Sequence, residues 1–281
     1  MGFYCEVTII AESTIVTNII GIVLVKNEDL FIERVLKNSI EFCDEIIVAD
    51  NLSTDETRSK VKRLQAQYPS IRYQAIESPS QSHDLITAYA GTKTWIFAVD
   101  GDELYDPAGL ALLRGKIVAG EYDKHWMLLG NALNCLDLNI ERGYARGYLA
   151  PPCRSMTKLY NFSMIESWDG PCPERLHGGE VIFKKGYDNS LRFEMYKDIS
   201  WEDAYFRCLH LCFIRRSSLE KVVAGDEGNR KNISDLLGEG ILARVKSRCL
   251  QFIGIKQHSS WKKDKYMRGQ LVEKSVVPFV C

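Results

Sequence analysis

The sequence predicts an α/β protein built on a mostly parallel central sheet flanked by helices. Short, nearly continuous apolar runs recur at residues 19–25, 45–50 and 95–99, and a further strand is expected at residues 71–76. Stretches with apolar residues at helical spacing separate them, and two of the runs stop abruptly on an aspartate, at Asp50 and Asp100. A short run that is apolar at every position is a strand covered on both faces. Strands of that kind alternating with helices argue for a parallel sheet with helices packed against it.

The first run ends in Lys26-Asn27-Glu28, and Phe31, Val35, Leu36 and Ile40 follow at helical spacing, which reads as strand, loop and helix. The second strand, residues 45–50, opens into Asn51-Leu52-Ser53-Thr54-Asp55-Glu56-Thr57. There Thr54 or Asp55 is placed to cap a helix carrying Val61 and Leu64. The third strand follows Pro69. A helix containing Leu85, Ile86, Tyr89 and Ala90 is then expected before the fourth, Trp95-Ile96-Phe97-Ala98-Val99.

That fourth run ends in Asp100-Gly101-Asp102-Glu103. Asp100 and Asp102 are two apart, so in extended backbone their side chains leave on the same side. Acids crowded at a strand end repel one another unless something positive neutralises them, and a hard divalent cation with oxygen ligands does so. The alternative is a solvated turn in which Asp102 or Glu103 caps a helix starting near Pro107. In open α/β sheets, the carboxyl ends of the strands are where ligands bind.

The chain has 281 residues, 46% apolar and 26% charged, which fits one elaborate α/β domain, or one domain with a smaller extension. The net charge of -1 conceals an asymmetry: residues 241–281 hold nine Lys/Arg against two Asp/Glu, so a basic tail follows an acidic body. Nine cysteines without a C-x-x-C pair point to a reducing compartment. Residues 7–25 are apolar enough to test as a membrane span, but Glu12, Asn18 and β-branched residues favour strands. With no secretion signal read at the N-terminus, a cytoplasmic protein is expected.

Val25-Lys26-Asn27-Glu28, the stretch from Asp44 to Thr57, and Phe97-Ala98-Val99-Asp100-Gly101-Asp102-Glu103 together resemble the nucleotide-sugar half of family 2 glycosyltransferases with a GT-A fold. The resemblance covers residues 18–110 and is traceable to residue 225. It implies a glycosyltransferase domain over 1–225, with a donor half at 18–110, an acceptor half at 111–225, and a basic, mainly helical extension at 226–281. It also implies a nucleoside-diphosphate sugar, of the UDP type first, bound with Mn²⁺ or Mg²⁺, and transfer with inversion to a hydroxyl of a carbohydrate or lipid-linked acceptor. Val25, Asn27, Glu28 and Asp50 would meet base and ribose, with Asn51, Ser53, Asp84, Asp100 and Gly101 completing the donor contacts. Asp102 resembles the direct metal ligand, assisted by Asp100. Ser82-His83-Asp84 departs from the Arg and Asn that many relatives carry before this strand.

In the acceptor half, Glu174 of Pro173-Glu174-Arg175-Leu176-His177 resembles the family's conspicuous glutamate, and Asp203 of Trp201-Glu202-Asp203 its Glu-Asp motif; either carboxylate is a candidate base for the acceptor hydroxyl. His210 lies between Cys208 and Cys212. It reads as the ion's late histidine ligand by resemblance, as a core histidine, or as part of a structural zinc group. Residues 142–154, with their arginines, glycines and prolines, read as a mobile loop. In the tail, Phe252, Lys256, Trp261, Lys262, Lys263, Lys265, Tyr266 and Arg268 suit an anionic membrane surface, a nucleic acid or an ordinary solvated helix pair. A nucleotidyltransferase is disfavoured, because no basic glycine-rich phosphate loop follows the first strand. A glycosyltransferase acting on a modified nucleic-acid base and a non-catalytic sugar-nucleotide-binding module remain the rivals.

Overall fold

The computed structural model describes residues 17–154, 157–169, 178–220 and 265–280. The main sheet is centred on β1 (Asn18–Val25), which lies between β2 (Glu45–Asp50) and β4 (Thr94–Asp100). With β3 (Ile71–Ala75) beyond β2, these four strands are parallel. Beyond β4 come β9 (Lys158–Asn161), the one antiparallel strand, then β6 (Met127–Leu129) and β12 (Arg192–Glu194). The chain runs outward from β1 to β2 and β3, then returns to the other side of β1 for β4. The crevice at the carboxyl ends of β1 and β4 is therefore a topological switch point, where an open α/β sheet offers room for a ligand.

Alternation along the strands explains why their sequences are apolar throughout. Ile19, Val23 and Val25 of β1, with Ile46 and Val48 of β2 and Trp95, Phe97 and Val99 of β4, face one core. That core is closed by α1 (Ile32–Ile40), α2 (Thr57–Gln67) and α4 (Pro107–Val118) through Val35, Leu36, Val61, Leu64, Leu110 and Leu113. Ile20, Ile22, Leu24, Ile47, Ile96 and Ala98 face the other side, against an aromatic group that includes Trp126, Tyr160, Phe162 and Trp168. Trp168 belongs to β10 (Ile165–Asp169), which forms a two-stranded ribbon with β11 (Glu180–Phe183).

A second sheet, in the order β14-β8-β7-β13-β5, comprises β14 (Leu271–Ser275), β8 (Tyr144–Ala150), β7 (Asn131–Asn139), β13 (Arg207–His210) and β5 (Glu103–Tyr105). β5 follows β4 after one tight turn, so the two sheets meet at Asp100-Gly101-Asp102. Buried Asn38 of α1 donates to the Tyr105 carbonyl at 2.7 Å and to the Phe279 carbonyl at 2.9 Å, tying helix, second sheet and C-terminal turn together.

Three expectations are corrected. The helix expected around residues 85–90 is broken into α3 (Gln81–Asp84) and a 3₁₀ turn at Thr87–Tyr89, because Ile86 alone of its four apolar residues is fully buried. The helix at Pro107 is capped by Asp106, whose Oδ1 accepts from the Gly109 N–H at 3.1 Å, so neither Asp102 nor Glu103 is consumed as a cap. Residues 144–150, expected in a mobile loop, are the strand β8, paired on both edges. Of the extension expected at 226–281, residues 265–280 are described and contribute strand β14, while the rest lies outside the described residues. Five cysteines among the described residues are free and buried. No described helix is long and apolar enough to cross a membrane.

Candidate active site

The β1 end of the crevice is a set of interlocked turns. The Val25 carbonyl accepts from the Asn51 N–H at 2.9 Å, and Lys26 Nζ donates to the Asn51 carbonyl at 3.0 Å. Ser53 Oγ accepts from the Asn27 N–H at 2.9 Å, while Asn27 Oδ1 accepts from the Thr54 N–H at 2.7 Å. Asn27 and Leu52 face each other across this junction, both with positive φ, 55° and 52°. For leucine that conformation is strained, and strain of this kind gathers at functional sites. The Glu28 N–H is fixed to Thr57 Oγ1 at 2.7 Å.

Asp50, fully buried at the end of β2, was expected to meet a base or ribose. Its Oδ1 accepts from the Ser53 N–H at 2.9 Å and the Ser53 hydroxyl at 2.5 Å, and its Oδ2 accepts from the Tyr73 hydroxyl at 2.8 Å. Its role in this structure is to hold the 50–53 turn that carries Asn51 and Ser53. Burial and the Asp50 carboxylate together push the Tyr73 phenol up to about 12.

At the β4 end, the Gly101 N–H donates to the Leu24 carbonyl at 3.1 Å. A Cβ at Gly101 would lie 2.7 Å from Glu28 Cγ and 2.9 Å from Val25 Cγ1, so only glycine lets the acidic turn pass against the end of β1. The turn then delivers Asp102 beside β13, where the Asp102 carbonyl accepts from the Leu211 N–H at 2.8 Å and His210 pairs with Glu103. Residues 108 apart in sequence thus converge: His210 Nε2 lies 3.7 Å from Asp102 Oδ2, both buried. His210 Nδ1 bonds Asn134 Oδ1 at 2.7 Å. Because that oxygen is an acceptor, Nδ1 donates to it and the Nε2 edge of the ring faces Asp102.

Glu103 is turned into the protein. Its Oε2 accepts from the Asp100 N–H at 3.1 Å and from the Tyr105 hydroxyl at 3.0 Å, and burial, reinforced by the neighbouring Asp102 charge, pushes its carboxyl up to about 8. It holds the Asp100–Asp102 turn in shape from behind.

Sequence reading missed Arg216. Its Nη1 pairs with Asp102 Oδ2 and lies 3.5 Å from Glu28 Oε1. Burial lowers the guanidinium's proton affinity, but the Asp102 and Glu28 carboxylates outweigh that and hold it firmly charged. The segment bearing it is clipped to the donor-side loops. The Ser218 N–H and hydroxyl donate to Asp29 at 2.7 and 2.5 Å, the Ser217 hydroxyl donates to Asp55 Oδ2 at 2.5 Å, and the Leu30 N–H donates to the Arg216 carbonyl at 3.0 Å. The only signal for it in the sequence was an Arg-Arg-Ser-Ser stretch beginning five residues after His210 in an otherwise acidic body.

Asp102 and His210 fit a divalent cation as a pair of protein ligands, since their 3.7 Å separation lies within the span that two ligands of one small ion occupy. Among the described residues no group of three His, Cys, Asp or Glu side chains forms a metal cluster, so Asp100 does not complete a set with them and neither Cys208 nor Cys212 makes a zinc group with His210. An ion held by Asp102 and His210 would take its other ligands from phosphate and water.

Other candidates lie elsewhere. Asp84 is exposed, and its neighbour His83 turns inward instead, bonding the Trp168 carbonyl at 2.7 Å through Nε2. Asp203 is exposed in a turn with its Oδ2 on the Ser200 hydroxyl at 2.8 Å. It precedes Arg207, at the end of β13 opposite His210, next to the start of α4, where the Asp106 N–H meets the Arg207 carbonyl at 3.3 Å. Glu174, Arg175 and His177 lie outside the described residues, as do Phe252, Lys256, Trp261, Lys262 and Lys263.

No curated protein sequence matches this chain. Among solved structures it resembles the mannosyltransferase PcManGT from Pyrobaculum calidifontis in complex with GDP-Man and Mn²⁺, at 21% identity and a TM-score of 0.31 over 46% of this chain and 38% of that one. It also resembles glucosyl-3-phosphoglycerate synthase from Mycobacterium tuberculosis in complex with Mn²⁺, UDP and glucosyl-3-phosphoglycerate, at 14% identity and a TM-score of 0.36 over 53% of this chain and 58% of that one. A mannose-6-phosphate isomerase from Helicobacter pylori stands at 13% identity and a TM-score of 0.32, over 45% and 55%. The matched region is therefore about half the length of these proteins or less, and their activities are theirs. Residues 22–127, which hold the crevice from β1 through the Asp100-Gly101-Asp102 turn to the start of β6, match the model of glycosyl transferase family 2.

Proposed function

We propose that the chain is a metal-dependent, inverting glycosyltransferase that takes a sugar from a nucleoside diphosphate, of the UDP type first, to an acceptor hydroxyl. The observation that carries this reading is the meeting of Asp102 and His210 at the switch point of a segment that matches family 2: the acidic turn leaves β4 and enters β5, whose pairing with β13 sets the acid beside the histidine. Base and ribose would lie along Val25, Asn27, Glu28, Asn51 and Ser53, over the turn that Asp50 holds. Asp102 and His210 would hold Mn²⁺ or Mg²⁺, which neutralises charge on a leaving diphosphate. Asp100 is the half-exposed acid of the turn and is proposed for a ribose or water-mediated contact.

For the base we favour Glu174. In sequence it falls between Asp169, which ends β10, and Gly178, whose carbonyl accepts from Trp168 Nε1 at 2.9 Å. That end of the ribbon is held by His83, which follows the carboxyl end of β3. Asp203, by contrast, lies at the wrong end of β13 for an acceptor above Asp102. A single displacement, with the Glu174 carboxylate taking the hydroxyl proton, inverts the anomeric centre. The acceptor is proposed to be a carbohydrate or a lipid-linked hydroxyl in the cytoplasm. The test is a thermal-shift screen of UDP-, GDP-, TDP- and CMP-sugars with and without Mn²⁺, followed by product analysis. A Mn²⁺-dependent shift for one diphosphate donor and an inverted product are expected; a retained anomer would sink the mechanism, and no shift with any donor would sink the donor assignment.

A further inference from the structure

Arg216 stands where a divalent cation would have to bind. Its Nη1 is on Asp102 Oδ2, the same oxygen that His210 Nε2 approaches, and Glu28 Oε1 lies 3.5 Å away on its other side. One carboxylate oxygen cannot serve a guanidinium and a divalent ion at bonding distance without forcing two positive centres together in a buried, low-dielectric site. Nor is the arginine there by accident of a long side chain, because Ser217, Ser218 and its own carbonyl are fastened to Asp55, Asp29 and Leu30. Removing the arginine without supplying another cation would leave Asp102 and Glu28 as buried carboxylates facing each other, which is costly.

Resting on the donor-site reading above, the geometry points to Arg216 as a resident counter-cation that excludes the divalent ion from Asp102 until a diphosphate arrives. The diphosphate supplies what the exchange lacks. Its oxygens take both the incoming ion and the displaced guanidinium, so no positive charge is left without a partner and the net charge of the crevice is conserved. A nucleoside monophosphate sugar brings fewer anionic oxygens for the two cations to share, and the arrangement therefore selects diphosphate donors. Cation and nucleotide binding must then be positively coupled, and by linkage each strengthens the other by the same factor.

The test reads Mn²⁺ binding directly, by paramagnetic resonance of free Mn²⁺ and by calorimetry, on the full chain with and without UDP or GDP. Wild type is expected to bind Mn²⁺ weakly alone and at least about tenfold more tightly with the diphosphate, a factor within the ordinary range of such coupling. Arg216→Gln is expected to bind Mn²⁺ alone at least about tenfold more tightly than wild type, with the coupling reduced to less than about threefold. Arg216→Lys, which keeps the charge, should retain the exclusion. Because Arg216→Gln leaves two buried carboxylates, its melting temperature is measured too, and Mn²⁺ without nucleotide should raise it where wild type shows little change. Equal Mn²⁺ affinity in wild type and Arg216→Gln, or wild-type affinity indifferent to the diphosphate, overturns the proposal. If a diphosphate raises the melting temperature but Mn²⁺ binds no variant, the inference fails while the donor-site reading survives; if neither binds, both fail.

Discussion

Two buried aspartate–arginine pairs sit four residues apart at the two ends of β5, and they differ in what surrounds them. Asp106 and Arg207 have side chains 5% and 12% exposed, and Asp102 and Arg216 are 6% and 12% exposed, so burial does not separate them. Arg207 meets Asp106 through Nε at 3.1 Å and Nη2 at 2.9 Å, donates through Nη1 to the Trp201 and Glu202 carbonyls, and lies over the rings of Trp201 and Phe279. Asp106 in turn caps α4. That pair is saturated by the fold. Around Asp102, an acid and an imidazole compete for the same small space, and the arginine that settles the competition belongs to a segment clipped to the donor loops. A buried ion pair whose every group has a structural partner stabilises, whereas one crowded by further titratable groups is arranged for exchange.

Breaking the two pairs should therefore give opposite phenotypes. Arg207→Ala strands the Asp106 carboxylate and two carbonyls, and should cost about 3–5 kcal/mol. The melting temperature should fall by about 10 °C, with KM for the donor unchanged in whatever folds. Asp102→Asn keeps the shape of its side chain and leaves Glu28 to Arg216. Its melting temperature should move by only about 3 °C or less, but kcat should drop at least about 100-fold. A stability loss of equal size in both variants would erase the distinction.

Much of the donor half was readable in the sequence because it rests on local patterns. The apolar runs gave β1, β2 and β4 of the main sheet, since parallel strands buried on both faces have no other way to look, and each run that ended in Asp marked the carboxyl edge of that sheet. What was not readable depended on distant residues meeting. Nothing near Arg216 announces Asp102, 114 residues away, and only the turn after β13 brings them together. Asp203 matched a motif, yet β13 carries it to the far end from His210. Residues 142–154 look like a loop by their glycines and prolines, but Gly147 is required for close packing: a Cβ there would lie 2.1 Å from the Asn134 carbonyl oxygen across the β7–β8 pair. That Asp50 bonds Ser53 and Tyr73 was not readable either, because Tyr73 comes from the neighbouring strand β3.

The pH dependence of stability sharpens the comparison from the inner side of the turn. Glu103 has a carboxyl at about 8 in the folded chain against 4.5 as its ordinary value, mainly through burial and then through Asp102. Between those two values the folded state holds a proton that the unfolded chain has lost. The stability associated with Glu103 is thus fully present below pH 4.5, falls as pH rises, and levels off above pH 8. Without divalent cations, unfolding free energy should fall by about 2 kcal/mol between pH 6 and pH 7.5 from this group. Glu103→Gln, which stays neutral, should flatten that slope in urea titrations.

A smaller effect is expected at Gly101. Adding one methyl puts Cβ against Val25 Cγ1 and Glu28 Cγ, so Gly101→Ala must shift either the end of β1 or the acidic turn, at about 1–3 kcal/mol. The turn is the looser of the two, being bonded on one side through the Gly101 N–H and on the other through the Asp102 carbonyl. Its movement would draw Asp102 away from His210, and Mn²⁺ affinity measured with a diphosphate should weaken together with stability. Gly109→Ala is the matching change at the Asp106 pair, where a Cβ would lie 2.5 Å from the Tyr205 carbonyl oxygen; it should lower stability and leave Mn²⁺ binding unchanged.

The smallest effect is expected at Asp203, and it decides which end of β13 does chemistry. Its carboxylate accepts from Ser200 in an exposed turn, so replacing it costs one solvent-exposed hydrogen bond. Asp203→Asn should change stability by less than about 0.5 kcal/mol and leave kcat within about twofold, because general-base catalysis contributes roughly 100-fold or more when it is lost. Glu174→Gln should show that larger loss in the same assay. If Asp203→Asn instead removed turnover while melting at the wild-type temperature, an acceptor would have to reach the α4 end of β13. Asp106 and Arg207 would then stand beside a reacting hydroxyl, and the contrast between the saturated pair and the exchanging pair would have to be redrawn.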